Sequence, residues 1–196
     1  AGLAWILLRL HHRPGVGSRP RRDPASRAEE VIMNLRTLRK LPRRWIFNWM
    51  DRNFQRAINL YPPYLGAGIH VTRISPDFRE LRVEMPLRPW NLNYVGTHFG
   101  GSLYSMCDPF YMLMLLRNLG GDYVVWDQAA TIRFRKPGKG RMVADFRITE
   151  DDLDTIREEV AREGRVRRTF EVRVRNRKGE VVAEVEKLIY VRRKER

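Results

Sequence analysis

Residues 100–119, GGSLYSMCDPFYMLMLLRNL, decide the fold of this chain. Their apolar side chains fall on nearly every face of a helix with 3.6 residues per turn, and a helix that is apolar all round is buried. The stretch therefore predicts one central helix, which Gly120 and Gly121 end. Cys107, the only cysteine of the chain, lies within it and predicts a small buried side chain.

Segments in which apolar and polar residues alternate flank this helix on both sides, as expected for strands. Two precede the helix and four follow it, over residues 69–72, 81–85, 123–135, 141–149, 165–175 and 181–193. Apolar residues spaced three and four apart predict a second helix over residues 150–163. The order β-β-α-β-β-(α)-β-β predicts an α+β fold, in which a six-stranded antiparallel sheet wraps around one buried helix.

The N-terminal part differs in composition from the rest. Residues 11–30 are rich in Arg, Pro, Gly and Ser, and we expect residues 1–32 to form a disordered basic extension. Residues 33–63 predict an N-terminal helical segment, in which 43–61 form an amphipathic helix with an apolar stripe. This helix either packs on its own domain or a partner subunit, which we favour, or makes weak contact with a membrane surface. Residues 64–196 are expected to form the folded domain.

The formal net charge of +15 is concentrated near the start, because residues 1–49 carry eleven basic and three acidic side chains. Such charge fits nucleic acid, an anionic membrane surface, a ligand with phosphates, or a solvated surface without a partner. Nucleic acid is the least favoured, since no zinc-finger spacing, RNP-like motif or helix-turn-helix is present. The four histidines show no metal-ligand spacing, which predicts no metal site. A single cysteine and the absence of a signal peptide pattern favour the cytoplasm.

The junction before the central helix carries the residues best suited to chemistry. Gly100 and Gly101 remove side chains where the helix begins, so its exposed N–H groups can meet a carbonyl or phosphate oxygen. Mere tight packing of the two glycines is the alternative. Ser102 follows them and fits either a capping hydroxyl or a group that contacts a ligand.

Asp108 is the only formally charged side chain between Phe99 and Arg117. A carboxylate in such an apolar stretch is costly to bury unless it is paired or functional. The following Pro109 allows another interpretation, because an aspartate before a proline is a frequent helix start and would give Asp108 a purely structural role. Both interpretations stay open at the level of the sequence.

Two motifs resemble those of hotdog thioesterases of the phenylacetyl-CoA thioesterase type. The first motif, Asn-x-x-Gly-x-x-His-Gly-Gly with an acidic residue seven positions later, is matched by Asn93, Gly96, Gly100, Gly101 and Asp108. The second, Thr-Ile-x-Phe-x-x-Pro-x-x-Gly, is matched by residues 131–140. The resemblance covers residues 64–193 and implies a hotdog fold. It departs at Phe99, which stands where the family has histidine, whereas His98 comes one position early.

The resemblance implies an acyl-thioester hydrolase that acts on an acyl-CoA or acyl-carrier substrate. The backbone N–H of Gly101, together with that of Ser102, would polarise the thioester carbonyl. Asp108 would act across a subunit interface as nucleophile or general base, and Asn93 would position the attacking group or the loop. The resemblance further implies a homodimer or a dimer of dimers, and no cofactor beyond the coenzyme A of the substrate.

Further residues are candidates to bind the substrate. Those expected to contact the substrate are Gly100, Ser102, His98, Asp127 and Gln128, and a solvent-facing position on the strand is the alternative for Asp127 and Gln128. A cluster of cations around one turn is expected to bind coenzyme A phosphates through charge-assisted hydrogen bonds, and consists of Arg133, Arg135, Lys136, Lys139 and Arg141. A solvated basic hairpin explains the same cluster. A non-catalytic protein that binds acyl-CoA or lipid is the alternative function, which Phe99 favours.

Overall fold

The computed structural model describes residues 53–195. Its helices are α1 (Phe54–Asn59), α2 (Pro62–Ala67), α3 (Gly100–Ser105), α4 (Phe110–Leu119) and α5 (Glu150–Glu163), with a 3₁₀ turn at Pro89–Asn91. Its strands are β1 (His70–Ile74), β2 (Glu80–Met85), β3 (Tyr123–Phe134), β4 (Met142–Arg147), β5 (Arg165–Asn176) and β6 (Val181–Arg193). The predicted extension over residues 1–32, and most of the amphipathic helix predicted over 43–61, lie outside the described residues.

The six strands form one antiparallel sheet in the order β1-β2-β4-β5-β6-β3. This confirms the predicted α+β architecture of a six-stranded sheet with a helix packed against it. The longest pairings join β6 to β5 on one side and to β3 on the other. Because β3 is the last strand of the sheet, its other side is a free edge within the described part of the chain.

The core lies between one face of the sheet and α4. Phe110, Met114 and Leu115 of α4 are fully buried, and the ring of Phe110 lies 5.1 Å from that of Phe146 on β4. Burial of each such side chain contributes about 1.5–3 kcal/mol. None of the helices in residues 53–195 is long and apolar enough to span a lipid bilayer.

The single helix predicted over residues 100–119 is in fact two helices, α3 and α4, with a break at residues 106–109. Pro109 explains the break, because proline has no N–H to donate and pushes the residue before it out of the helical region. The Asp108–Pro109 peptide bond is cis. The capping interpretation of Asp108 is also wrong, since Pro109 occupies the N-cap position of α4 and no side chain caps that helix.

A second proline effect precedes the sheet. The helix predicted to end at residue 61 ends at Asn59 in the structure, as α1, and Pro62 begins a further helix, α2. Proline suits the first turn of a helix, where its missing N–H would have no partner anyway. Helix α2 buries Tyr64, whose hydroxyl donates a hydrogen bond to the backbone carbonyl of Asp108. The helix thereby holds the α3–α4 break in place.

Candidate functional site

The loop before α3 is shaped by Asn93. Its side-chain Oδ1 accepts hydrogen bonds from the backbone N–H groups of Val95 and Thr97, at 3.1 Å and 2.9 Å. Its Nδ2 donates to the hydroxyl of Thr97 at 2.8 Å and to the carbonyl of His98 at 3.2 Å. Because all these contacts lie within the loop, the structure supports the loop-positioning part of the role expected for Asn93.

His98 ties this loop to the turn that follows β3. Its backbone N–H donates to the carbonyl of Gly138 at 2.9 Å, and its Nε2 donates to the carbonyl of Gly140 at 2.8 Å. A carbonyl can only accept, so Nε2 carries the proton and Nδ1 is an acceptor, buried and without a partner in the described part of the chain. Burial lowers the pKa of His98 although the Gly140 carbonyl opposes the shift. His98 is therefore a neutral imidazole that anchors the loop.

The two glycines at the start of α3 allow two aromatic rings to approach the backbone. A Cβ atom on Gly100 would lie 3.0 Å from the ring of Phe134, and one on Gly101 would lie 2.4 Å from the ring of Phe99. The N–H of Ser102 already donates to the carbonyl of Phe99 at 3.0 Å, whereas those of Gly100 and Gly101 have no acceptor among residues 53–195. Of the expected oxyanion donors, Gly101 thus has its N–H available and Ser102 does not.

An open groove of about 640 Å³ lies between this loop and the turn after β3. We call it the loop–turn groove, and its apolar surface includes Leu103 and Phe134. It brings together six of the residues predicted for the site, namely Asn93, His98, Gly100, Arg135, Lys136 and Lys139. The loop–helix junction and the basic turn, which are about 40 residues apart in the sequence, therefore form one surface.

Most of the predicted phosphate-binding cations have glutamate partners. The ion pairs are Arg133–Glu186, Arg135–Glu184, Lys136–Glu180 and Arg141–Glu84. Such pairs at the protein surface contribute only about 0–1 kcal/mol each, so a phosphate can compete for the cations. Lys139 has no ion pair among the described residues and lines the groove, whereas Arg133 and Arg141 lie outside it.

A second group of polar side chains surrounds Lys187, a lysine of β6 whose side chain is 1% exposed. Its Nζ lies 2.5 Å from Oδ1 of Asp108, 3.2 Å from Oδ2 of Asp127 and 3.2 Å from the hydroxyl of Tyr104. The same Nζ lies 5.1 Å from the centre of the Tyr104 ring. We call Lys187, Asp108, Asp127 and Tyr104 the lysine cluster.

The fold positions this cluster from three elements. Lys187 lies on the inward face of β6, in the same alternation as the buried Val185 and Ile189. Asp127 of β3 pairs with Ile189, beside a bulge at Gln128, and so reaches Lys187 from the neighbouring strand. Asp108 comes from the α3–α4 break. Sequence reasoning missed Lys187, although a charged residue in the inward register of an apolar strand is a signal that could have revealed it.

The charges of the cluster influence one another. Burial alone would lower the pKa of Lys187, but the hydrogen bond and charge of Asp108, together with Asp127, raise it above the ordinary value. Burial raises the pKa of Asp127; Lys187 opposes that shift, and the Asp108 carboxylate adds to it. The Asp108 side chain is 41% exposed, so solvent reaches this carboxylate while one oxygen is held by Lys187.

Two other candidates lie away from this chemistry. Gln128 is exposed, and its side-chain oxygen accepts a hydrogen bond from Arg167 at 2.7 Å, so it does not join Asp127 in the cluster. Cys107 is fully buried, as the sequence predicted, and burial raises the pKa of its thiol to about 12. A thiol that stays protonated is a poor nucleophile.

The family described as "Domain of unknown function (DUF4442)" matches residues 50–191. Pseudomonas aeruginosa protein PA5026, described as "Probable Thioesterase", is 21% identical with a TM-score of 0.63, over 71% of this chain and 93% of that one. Chlorobaculum tepidum protein OLEI01261, of unknown function, is 16% identical with a TM-score of 0.59, over 75% and 96%. Haemophilus influenzae thioesterase HI1161 is 13% identical with a TM-score of 0.55, over 72% and 90%. Identities this low establish the fold alone, and no curated protein matches the sequence.

Proposed function

Since the chain belongs to the family described as "Domain of unknown function (DUF4442)" and shares its fold with proteins described as thioesterases, we propose that it hydrolyses acyl thioesters. The observation that carries this proposal is the Asp108 carboxylate. Lys187 holds one of its oxygens at 2.5 Å while the side chain stays 41% exposed. A carboxylate that is held in place and accessible to solvent is what a general base for water, or a nucleophile, requires.

The proposed reaction uses a backbone N–H group to stabilise negative charge and a side-chain carboxylate as base or nucleophile. The N–H of Gly101, which has no acceptor among the described residues, would stabilise the negative charge that develops on the thioester oxygen. Asp108 would remove a proton from the attacking water, or would itself attack the carbonyl carbon. Asn93 would act indirectly, because it fixes the loop that leads into α3.

The loop–turn groove is the proposed binding site for the substrate. Its volume of about 640 Å³ falls within the range of small-molecule sites, and its surface combines apolar side chains with cations. Lys139 has no ion pair in the described part of the chain, so its ammonium is the cation most available to a coenzyme A phosphate. The neighbouring Arg135 and Lys136 would have to share their charge with Glu184 and Glu180.

We further propose a homodimer that pairs β3 with β3 of a second copy. Strand β3 is 12 residues long, its outer side pairs with nothing among residues 53–195, and its central residues Ala129, Ala130 and Thr131 are exposed. A long edge without charged side chains at its centre readily accepts another strand. In such a dimer, the resemblance to hotdog thioesterases implies that Asp108 of one copy acts with the α3 start of the other.

A panel of acyl-CoA thioesters with detection of the free thiol tests the proposed function. We expect release of coenzyme A from at least one thioester at a rate proportional to the protein concentration. The ring of Phe99 over Gly101 favours a second candidate, a protein that binds acyl-CoA without hydrolysing it. Tight binding of acyl-CoA in equilibrium dialysis, with no thiol released from any member of the panel, would establish that alternative and overturn the proposed hydrolase.

A further inference from the structure

Asp127 has a buried oxygen that nothing in the described part of the chain satisfies. Its Oδ2 contacts the ammonium of Lys187, but its Oδ1 is buried and has no hydrogen-bond partner among these residues. A buried carboxylate oxygen that has neither water nor a donor destabilises the folded state, and more so when the group is charged. The Asp108 carboxyl lies within hydrogen-bonding reach of Asp127, yet two ionised carboxylates can only accept and repel each other.

None of the other ionisable groups described around Asp127 donates a hydrogen bond to its Oδ1 or fully offsets the repulsion between the two carboxylates. Lys187 is the cation of the cluster, and its contacts are with Asp108, Oδ2 of Asp127 and Tyr104. The hydroxyl of Tyr64 is directed to the backbone carbonyl of Asp108, and the thiol of Cys107 stays protonated. With both aspartates ionised, a single ammonium would face two negative charges in a largely buried site.

We propose that Asp108 and Asp127 share one proton, which resides on Asp127, and that Lys187 holds the two carboxyls together as a neutral unit. A proton on Asp127 gives it a donor for the Asp108 carboxylate and leaves one negative charge opposite the single ammonium. Paired carboxyls with different surroundings commonly divide the acid and base roles in this way. The raised pKa of Asp127, caused first by burial, has the direction that this arrangement requires.

The role of the shared proton in the reaction rests on the proposed function. Asp108 takes a proton from water, and the hydroxide forms a bond to the acyl carbon. The carbon–sulfur bond then breaks, and its electron pair goes to the sulfur. One of the two protons now held by the carboxyl pair passes to the thiolate, which leaves as free thiol while the pair returns to one proton. Lys187 and Asp127 are positioning residues in this scheme, since both act through Asp108.

The pH dependence of the free energy of unfolding tests the proton on Asp127 without requiring turnover. Because the pKa of Asp127 is raised in the folded protein, the wild type retains its proton at a pH where the unfolded chain has lost it. The contribution of Asp127 to stability is therefore fully present below about pH 4, the ordinary value for aspartate, and decreases as the pH rises above it. Asp127→Asn cannot titrate, so its stability relative to the wild type should rise between pH 4 and 7.

Asp122→Asn, at an exposed aspartate just before β3, is the matched control and should show no such trend. If the relative stability of Asp127→Asn instead falls with pH or stays constant, then Asp127 is ionised in the folded protein and the proposal is overturned.

A kinetic measurement distinguishes a failure of this proposal from a failure of the proposed function. Asp127→Asn, which keeps a donor and an acceptor, should retain a kcat at least about tenfold above that of Asp127→Ala. A wild type without turnover would contradict only the hydrolase.

Discussion

The loop–turn groove and the lysine cluster are built on opposite principles. The groove is open, is shaped by hydrogen bonds within a loop, and carries cations that surface glutamates already partner. The cluster places a lysine that is 1% exposed between two carboxylates from separate elements of the fold. Helix α3 connects them, because Gly100 and Leu103 line the groove whereas Tyr104 contacts Lys187.

This difference assigns substrate binding to the groove and the reaction itself to the lysine cluster. Surface charge pairs are screened by solvent and contribute about 0–1 kcal/mol, so the groove can exchange its glutamate partners for a ligand at small cost. A buried charge depends on its partners, and their removal is costly. Changes in the groove should therefore affect mainly the affinity for substrate, whereas changes in the cluster should affect both stability and turnover.

Removal of the buried cation should have the largest effect on stability. Lys187→Ala leaves a cavity and deprives two carboxyls of their ammonium, so we expect the free energy of unfolding to fall by about 3 kcal/mol. Chemical denaturation at neutral pH measures this loss. Lys178→Ala, in the exposed turn between β5 and β6, is the control and should stay within about 0.5 kcal/mol of the wild type. A loss of the same small size for Lys187→Ala would show that the cluster does not depend on its charge.

The proposed dimer is tested at the free edge of β3. Ala130→Arg places an arginine near the centre of that edge, where a second copy would present the same charge, so we expect the dimer to dissociate. Light scattering of the wild type should give twice the 23.3 kDa of one chain, and the variant should give one chain. Thr72→Arg, on the opposite edge strand β1, should leave the dimer intact. A wild-type monomer would contradict the dimer directly.

A smaller effect is expected in the groove. Lys139→Ala removes the cation without an ion pair among the described residues and should raise KM for an acyl-CoA about fivefold, equivalent to about 1 kcal/mol for one exposed charge. Its kcat should change much less, because Lys139 lines the groove and is not part of the lysine cluster that holds Asp108. Steady-state kinetics at low salt measure both constants, with Lys178→Ala as control. An unchanged KM would remove the phosphate-binding role of this turn.

The sequence predicted most of the fold because periodicity reflects burial directly. All six strands and helix α5 lie within two residues of their predicted bounds. The exception is the break before α4, where the apolar pattern continued across Pro109 and backbone sterics overrode it. The apolar pattern of residues 100–119 predicted correctly that this segment is helical and buried, but it did not predict that the segment forms two separate helices.

The candidate site was less predictable, because it depends on contacts between distant segments. Gly100, Gly101 and Asp108 form a local motif and were found from it. Three of the four glutamate partners of the basic turn lie on β6 or just before it, where the register of β3 against β6 places them, and the fourth, Glu84, lies on β2. Lys187 is likewise 79 residues from Asp108 in the sequence, and only the fold brings the two together.

Turnover by Asp108→Asn tests the central claim most directly. The asparagine keeps the size of the side chain and removes its charge, so kcat/KM for the best acyl-CoA should fall by about 10²- to 10⁴-fold, the usual contribution of a general base. Asp122→Asn should keep the wild-type value, and circular dichroism should show both variants folded. An Asp108→Asn protein that is folded and releases thiol at the wild-type rate would contradict the role of Asp108 and with it the proposed site.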